Sequence, residues 1–383
     1  MDQTTERPIR VGIVGLGFIA NAHLRGYQAC PNVEIVAGAE PSREQGAKMA
    51  KEYGIPDIYT DYQEMLQRTD IDAVSVCVPN WLHAPAGLAA LRSGKHVLCE
   101  KPLALNSREA QEMVDAARDN GRVLQVAFNY RARGDAAALK QHIDDGGLGR
   151  IYYAKASWMR RSGIPGMGSW FTNKQMSGGG PLIDLGVHIL DLSLWFMGEP
   201  LVETISASTY AEFGPRGRGG WIGSVKSGSG NSYGVEDLAT AFIRLEGGQT
   251  LLLEASWATY SKAGDDFSIA LYGTEGGAEI EVQNYGWEKT LRVFNDVGGI
   301  PADSVPRVPR GEGHTSIVRE FVRRIETGED QLRGGLEGLK RSKIIDACYA
   351  SAAAGHELNF EEWARGNDLP PQTTQDPNAE GKE

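Results

Sequence analysis

The chain has 383 residues, of which 41% are hydrophobic and 23% charged, the composition of an ordinary globular protein long enough for two domains. Its net charge of −11 argues against a nucleic acid or an anionic membrane surface as a partner. No apolar run approaches the roughly 20 residues that span a bilayer. The polar segment Met1–Arg7 lacks the apolar stretch of a secretory signal, so we expect a cytoplasmic protein.

The four cysteines stand far apart, and none forms a Cys-x-x-Cys pair. This spacing favours reduced thiols in a cytoplasmic protein. The absence of a cysteine–histidine cluster in the sequence also argues against a zinc-dependent enzyme, so we expect no metal.

The first predicted element is a short buried strand that runs into the turn Gly15-x-Gly17-x-x-Ala20 and then into a helix. Glycine permits the unusual backbone angles of such a reversal and lets the backbone approach a bound pyrophosphate. The free N–H groups at the start of the helix would then face this anion. The turn predicts a dinucleotide-binding site, although a tight turn without a ligand gives the same pattern.

A second apolar run, Val33–Ala39, ends at Glu40, 20 positions beyond Ala20. Dinucleotide-binding folds place an acidic residue near this point, where it contacts the ribose hydroxyls. Glu40 would repel a 2′-phosphate, so the sequence favours NAD over NADP. Arg43 is the alternative, because an arginine just past the strand can hold that phosphate; it can equally be a solvated side chain in the first turn of a helix.

Strand-like and helix-like segments alternate up to about Asn129, which predicts a doubly wound parallel sheet with helices on both faces. Beyond this point long strand-like runs separated by glycine pairs predict an α+β domain with a large, mostly antiparallel, open-faced sheet. The predicted division is therefore a dinucleotide domain over 1–129, a substrate and oligomerisation domain over 130–367, and a disordered tail over 368–383. The glycine- and serine-rich segment 214–233 is predicted to be a mobile or partner-contacting loop.

Three polar motifs follow predicted strands or open a predicted helix. Pro79-Asn80-x-x-His83 and Glu100-Lys101-Pro102 each lie at the carboxyl end of a strand, where open α/β sheets bind ligands. The third motif runs from Gly178-Gly179-Gly180 through Asp184 to His188, and its spacing of four places the last two residues on one helical face.

With these motifs the chain resembles the glucose–fructose oxidoreductase and inositol dehydrogenase family, Gfo/Idh/MocA, over nearly all of residues 8 to 365. The resemblance rests on the glycine turn, on Gly94-Lys95-His96-Val97-Leu98-Cys99-Glu100-Lys101-Pro102, and on the triglycine leading into Asp184-x-Gly186-x-His188. It implies reversible hydride transfer between NAD(P) and a secondary alcohol of a sugar, glycoside or cyclitol. It also implies a cis Lys101–Pro102 bond and a homodimer or homotetramer.

The resemblance assigns site residues as well. Lys101, Asp184 and His188 match the positions that surround the reacting carbinol and are the predicted catalytic residues. The predicted cofactor-binding residues are Gly15, Gly17, Phe18, Ile19, Glu40, Arg43, Pro79, Asn80, His83, Glu100 and Lys101. The predicted substrate-binding residues are Lys101, Tyr130, Arg131, Trp158, Arg160, Asp184 and His188.

Elementary chemistry is consistent with the catalytic assignment. Oxidising an alcohol removes a proton as hydride leaves, and histidine titrates near neutrality. Asp184 can orient the imidazole or hold a substrate hydroxyl, and Lys101 can donate to the oxygen as it gains charge. Each residue also has a structural alternative. His188 could be a buried helix histidine, Asp184 could cap its helix, and Lys101 could form a surface ion pair with Glu100. His314 is expected to be a solvated helix-end residue.

Several functions remain open at this point. The same chemistry could serve as the oxidation step of redox-assisted glycoside cleavage or run in reverse as a keto-sugar reductase. A non-catalytic dinucleotide-sensing regulator is the alternative of a different class, and retention of the catalytic residues argues against it. For assembly, the runs Phe242–Leu245 and Leu251–Leu253 are expected to give the second sheet an uncovered apolar face that joins subunits.

Overall fold

A computed structural model describes residues 7–221 and 233–372 of the chain. The predictions made above for most of the disordered tail and most of the glycine- and serine-rich loop concern residues outside these ranges. Its helices and strands, in chain order, are β1 (Ile9–Val14), α1 (Ala20–Gln28), β2 (Val33–Ala39), α2 (Arg43–Tyr53), β3 (Asp57–Tyr59), α3 (Tyr62–Leu66), β4 (Ala73–Val76), α4 (His83–Arg92), β5 (His96–Cys99), α5 (Ser107–Asp119), β6 (Leu124–Val126), α6 (Gly134–Asp144), β7 (Ile151–Arg160), α7 (Lys174–Ser177), α8 (Val187–Phe196), β8 (Val202–Tyr210), β9 (Leu238–Leu245), β10 (Gln249–Ser256), β11 (Asp265–Gly273), β12 (Gly277–Gln283), β13 (Leu291–Val297), β14 (Ile300–Ser304), α9 (His314–Thr327), α10 (Arg333–Ala354), β15 (Leu358–Asn359) and α11 (Phe360–Gly366).

The chain divides into two compact units. The first comprises Met1–Ala132 and Glu312–Ser342, and the second comprises Arg133–Gly311 and Lys343–Glu383. The sequence-based division placed all of 130–367 in the second domain, whereas the chain returns to the first unit at Glu312. Among the described residues, none of the helices combines the length and the hydropathy that a bilayer crossing requires.

The first unit is built on a six-stranded parallel sheet in the order β3-β2-β1-β4-β5-β6. Residues on both faces of β1 are buried, as expected for a sheet covered by helices on both sides. The late helix α9 packs on α1, and its Val318 and Phe321 join the same apolar cluster as Val11 and Leu24. The predicted doubly wound parallel sheet is confirmed, with one covering helix supplied from the far end of the chain.

The second unit contains a nine-stranded sheet in the order β14-β13-β12-β11-β7-β10-β9-β8-β15. Only the β7–β10 pair is parallel among these neighbours. The β9–β10 connection uses Gly247 and Gly248, whose φ angles of 70° and 74° favour glycine, and the glycine pair does mark a hairpin. The predicted mostly antiparallel sheet is confirmed.

One face of this sheet packs against α8 and the turn that precedes it. The alternation of a strand sends Ile243 and Leu251 to that buried face, while Phe242 and Leu252 point to the other side and are half-buried. Of the apolar residues in the two runs, Phe242 and Leu252 therefore supply side chains to the other face, because successive side chains of a strand point to opposite faces. The uncovered face also carries polar residues such as Lys155.

Candidate active site

The glycine turn of the first unit contains two glycines with different requirements. Gly15 has a φ of +86°, and a Cβ added there would lie 2.5 Å from the carbonyl oxygen of Cys77, so the fold itself demands glycine. A Cβ at Gly17 would meet no protein atom within 4 Å. Helix α1 starts at Ala20; the N–H groups of Asn21 and Ala22 donate to the carbonyl oxygens of Phe18 and Ile19, whereas the N–H groups just before them have no acceptor within the helix. The open space at Gly17 and these donors fit the pyrophosphate of a dinucleotide.

Glu40 lies against this turn, as the spacing predicts. Its two carboxylate oxygens accept hydrogen bonds from the backbone N–H groups of Leu16 and Ser42, each at 3.1 Å. Arg43 is exposed in the first turn of α2. The carboxylate is thus held beside the turn by two backbone donors; its contact with a ribose stays a prediction, as do the contacts of the exposed Phe18 and the half-buried Ile19.

Pro79 and Asn80 lie just past β4, where a short 3₁₀ turn leads into α4. His83, by contrast, is only 1% exposed. Its Nδ1 lies 2.6 Å from the carbonyl oxygen of Pro102 and its Nε2 lies 2.8 Å from that of Val78, while burial lowers its pKa. This ring bridges two loops of its own unit, and its expected contact with the nicotinamide stays a prediction.

Lys101 follows β5, is half-buried, and precedes a cis peptide bond to Pro102, which confirms the predicted isomer. Its neighbour Glu100 is 7% exposed. The Glu100 carboxylate lies 2.8 Å from Nε2 of His23 and 3.1 Å from Nε2 of His314. Glu100 and His314, which was expected to be solvated, are thus partners inside the first unit, and the predicted contact of Glu100 with the cofactor stays a prediction.

Tyr130 and Arg131 follow β6 in a 3₁₀ turn and are half-buried. Arg131 donates from Nη1 to a carboxylate oxygen of Glu337 at 2.7 Å, and its guanidinium lies 5.4 Å from the ring centre of Phe128. These residues of the first unit fix the guanidinium of Arg131, and its predicted contact with the substrate stays a prediction.

In the second unit Asp184 and His188 occupy one continuous helical segment. Leu182–Gly186 forms a π turn that runs directly into α8, and π turns are frequent at functional sites. The side chain of Asp184 accepts a hydrogen bond of 3.0 Å from Nε1 of the fully buried Trp257. Asp184 is therefore held from outside its own helix.

The triglycine before this segment is packed against a buried carboxylate. Glu236 accepts hydrogen bonds from the N–H groups of Gly180 at 3.0 Å and Leu182 at 3.1 Å, and from the Tyr349 hydroxyl at 2.9 Å. A Cβ at Gly180 would lie 2.1 Å from the Glu236 carbonyl oxygen, and one at Gly179 would lie 1.9 Å from the Tyr349 hydroxyl. Close packing thus explains these two glycines without reference to a ligand.

Trp158 and Arg160 lie on the same face of β7, and both are buried. Both side chains donate to Asp265, Trp158 from Nε1 at 2.7 Å and Arg160 from Nε at 2.8 Å. Arg160 also donates from Nη2 to the Tyr285 hydroxyl at 2.8 Å, and the Trp158 ring centre lies 5.8 Å from that of His188. These two residues, predicted to bind substrate, support the surroundings of His188 within the unit.

Sequence reasoning missed the residues that support the predicted ones. His23 lies on a helix face among apolar residues, a setting that does not distinguish a ligand-binding histidine from a structural one. Trp257 and Asp265 acquire their roles only through strand pairing, and Glu236 faces Gly180 across 56 residues of sequence. The signal that the sequence offers for such residues is a polar side chain in a segment predicted to be buried, with no partner nearby in the sequence. The residues missed in this way are His23, Glu236, Trp257, Asp265 and Tyr349.

A parallel sheet with a glycine turn and an acidic residue after β2 defines a dinucleotide-binding unit, joined in one chain to a second unit with an Asp–His helix. This is the organisation of a two-domain oxidoreductase. Residues 9–128 match the oxidoreductase family with an NAD-binding Rossmann fold, and residues 136–279 match the GFO/IDH/MocA C-terminal domain. The chain belongs to the Gfo/Idh/MocA family and is an NAD-dependent oxidoreductase.

Relatives of known activity match over nearly their whole length. The D-glucoside 3-dehydrogenase of Escherichia coli K12 is 32% identical over 358 residues, which is 93% of this chain and 99% of that protein. The levoglucosan dehydrogenase of Pseudarthrobacter phenanthrenivorans is 29% identical, covering 90% and 96% of the two chains. A solved levoglucosan dehydrogenase in complex with NADH and levoglucosan superposes with a TM-score of 0.79 at 25% identity, over 92% of this chain and all of that one.

Proposed function

We propose that the protein oxidises a secondary alcohol of a pyranose glycoside, at carbon 3, with NAD as the hydride acceptor. The observation that carries the substrate class is the similarity to the D-glucoside 3-dehydrogenase, which extends over 99% of that relative. When bound in the first unit, NAD would accept the hydride. Proton removal, substrate orientation and stabilisation of the developing charge would be carried out by side chains of this chain.

His188 is the proposed base that takes the hydroxyl proton, since imidazole titrates near neutrality. Asp184, one turn earlier, orients that imidazole or holds a neighbouring substrate hydroxyl. Lys101 donates a hydrogen bond to the oxygen as its negative charge develops. This assignment is supported by the fixed setting of each residue within its unit: Trp257 holds Asp184, and the Trp158 ring packs by His188.

NADH formation, followed by absorbance on a panel of pyranoses, glycosides and inositols, tests the proposal. Glycosides of glucose should be oxidised fastest. His188→Asn should lower turnover by roughly 10²–10⁴-fold, the usual contribution of a general base, with NAD affinity unchanged. A variant that is stable and turns over normally would move the base to another group.

The reverse reaction is a second candidate with its own support. The 1,5-anhydro-D-fructose reductase of Ensifer adhaerens is 35% identical over 301 residues, covering 77% of this chain and 83% of that protein. NADH consumption with keto sugars, compared with NAD reduction by the matching alcohols, decides which direction is faster.

The protein is further proposed to be a cytoplasmic homo-oligomer that associates through the uncovered face of the nine-stranded sheet. The four cysteines are buried and free, which suits a reducing compartment. The uncovered face carries Phe242 and Leu252, paired across neighbouring strands, and stacked Tyr153 and Tyr272 rings 5.3 Å apart. Light scattering at micromolar concentration should give a dimer or a tetramer, and a monomer would contradict this assembly.

A further inference from the structure

A buried polar network in the first unit surrounds Glu100. One oxygen of its carboxylate lies 2.8 Å from Nε2 of His23 and 3.1 Å from Nε2 of His314. The other oxygen accepts the backbone N–H of Lys101 at 3.3 Å. Nδ1 of His23 in turn lies 3.0 Å from Oγ of Ser75.

One arrangement of protons satisfies this network with an ionised Glu100. The Tyr27 hydroxyl, 2.8 Å from Oγ of Ser75, donates to that oxygen, and Ser75 donates to Nδ1 of His23. His23 then carries its proton on Nε2 and donates it to Glu100, and His314 donates from its own Nε2. Glu100 is ionised in this arrangement, and the two imidazole donors hold the pKa of its carboxyl well below the ordinary range despite burial.

Burial makes the network expensive to disturb. His23, Tyr27 and Ser75 are 0% exposed and Glu100 is 7% exposed. A buried carboxylate that loses a donor is left with an unsatisfied charge, which is strongly destabilising. The position of Glu100, and with it the backbone of the next residue, is therefore fixed by side chains from other elements.

These side chains come from distant parts of the sequence. His23 and Tyr27 lie on α1, the helix that the glycine turn opens, and Ser75 lies on β4. His314 is the first residue of α9, where the chain has returned to the first unit. The network thus connects the turn that carries Lys101 to the dinucleotide-binding helix and to a segment more than 200 residues later.

We propose that Glu100, held by His23 and His314, is a positioning residue that fixes Lys101 for hydride transfer. This inference rests on the catalytic role proposed for Lys101. Glu100 and the two histidines act through the backbone of the lysine turn, so their loss should affect turnover more than affinity for NAD.

The same three side chains also have the composition of a metal site, since their ligand atoms all lie within 4.8 Å of one another. A bound cation would need lone pairs, not protons, on both Nε2 atoms. The two readings therefore exclude each other, and metal content separates them. Stoichiometric zinc or another divalent metal in the purified protein would overturn the positioning network.

The test uses His314→Gln, whose amide keeps an N–H donor near the position of Nε2, and His314→Leu, which removes the donor. His356→Leu, an exposed histidine elsewhere, is the matched control. Hydrogen exchange of the peptide that contains Lys101 should accelerate in His314→Leu and not in His314→Gln or the control. A peptide from β10 should exchange alike in all four proteins. Equal exchange at Lys101 in His314→Leu and wild type would overturn the proposal.

Kinetics provide the second readout. His314→Leu should lower kcat by about 10- to 100-fold, the order expected for a small misplacement of a reacting group, while His314→Gln stays within about threefold of wild type. In a Lys101→Ala background the His314→Leu change should add little, because both act on one step. A full additional loss in that background would overturn the proposal. If wild type shows no turnover on any substrate while hydrogen exchange at Lys101 changes in the variants as expected, the result would count against the proposed function alone.

Discussion

At the scale of single residues, the two glycines of the dinucleotide turn are required for different physical reasons. Gly15 is fixed by its backbone angle and by the nearby Cys77 carbonyl, whereas the protein leaves the space around Gly17 open. The motif read from the sequence treats both alike. The structure separates a glycine that folding requires from one that only a ligand requires.

Gly17→Ala should therefore fold with normal stability and bind NAD more weakly, because the new methyl group projects into space that the pyrophosphate needs. We expect a melting temperature within about 2 °C of wild type, in keeping with a surface substitution, and at least a tenfold increase in the Kd for NAD, about 1.4 kcal/mol. Gly366→Ala, which also meets no atom within 4 Å, is the control for both measurements. A large loss of stability with unchanged NAD affinity would reverse this assignment.

Glu40 determines the choice between NAD and NADP in this account. Glu40→Gln keeps an oxygen that can accept from Leu16 or Ser42 but removes the charge that repels a 2′-phosphate. Wild type should bind NAD more tightly than NADP, and the variant should narrow the ratio of the two dissociation constants by roughly tenfold. Titration of both dinucleotides measures this ratio, and tighter NADP binding by wild type would direct attention to Arg43.

At the scale of elements, two buried glutamates hold the two segments that carry the predicted catalytic residues. Glu100 accepts the N–H of Lys101, and Glu236 accepts the N–H groups at the start of the π turn that contains Asp184. Their surroundings shift their acidities in opposite directions. Imidazole donors lower the pKa of Glu100, whereas burial raises the pKa of Glu236.

The packing of the triglycine predicts a local and severe effect. Gly180→Ala would place a Cβ 2.1 Å from the backbone carbonyl of Glu236, which cannot move aside as a side chain could. We expect a loss of about 1–3 kcal/mol in the free energy of unfolding, typical of overpacking, measured by denaturant titration. Turnover should fall together with the free energy of unfolding, because the π turn that contains Asp184 begins just after Gly180. Unchanged stability would mean that the turn is looser than its contacts indicate.

The two glutamates also predict opposite pH dependence of stability. A carboxyl whose folded pKa is lowered stabilises above its unfolded value, here about 4.5, and loses that contribution as the pH falls. The excess of the free energy of unfolding of wild type over that of Glu100→Gln should therefore decrease between pH 5 and pH 3. For Glu236, whose folded pKa is raised, the stabilising contribution diminishes as the pH rises above 4.5, so the advantage over Glu236→Gln should grow on acidification. Melting curves of wild type and both variants from pH 3 to pH 8 test both predictions. If the stability of wild type relative to each variant changes with pH in the same direction for both, the assignment is contradicted.

Element boundaries follow from the sequence where the signals are local. Helix α2 spans Arg43–Tyr53 because Ser42 caps its start and Gly54 adopts the left-handed conformation after its end. Strand β7 spans Ile151–Arg160, over which buried and more exposed side chains largely alternate. The two-residue β15 was not predicted, because its pairing with β8 is not visible in so short a segment.

At the scale of the whole molecule, the sequence predicted both sheets and the position of the glycine turn but not the path of the chain. The return of the chain to the first unit at Glu312 has no local signature. His314 was expected to be solvated because its partner Glu100 lies 214 positions away. The predicted substrate-binding arginines were assigned by position alone, and the carboxylates of Glu337 and Asp265 that engage them lie 206 and 105 positions away in sequence.

The central claim is that this chain transfers hydride from carbon 3 of a glycoside to NAD. The most direct measurement uses methyl glucosides deuterated separately at carbons 2, 3 and 4, with the isotopic mass of the reduced dinucleotide determined after turnover. We expect one deuterium in the reduced dinucleotide only with the substrate labelled at carbon 3. That substrate should also show a slower single-turnover rate than the other two. Reduced dinucleotide without deuterium from that substrate, or deuterium arriving from carbon 2 or 4, would contradict it.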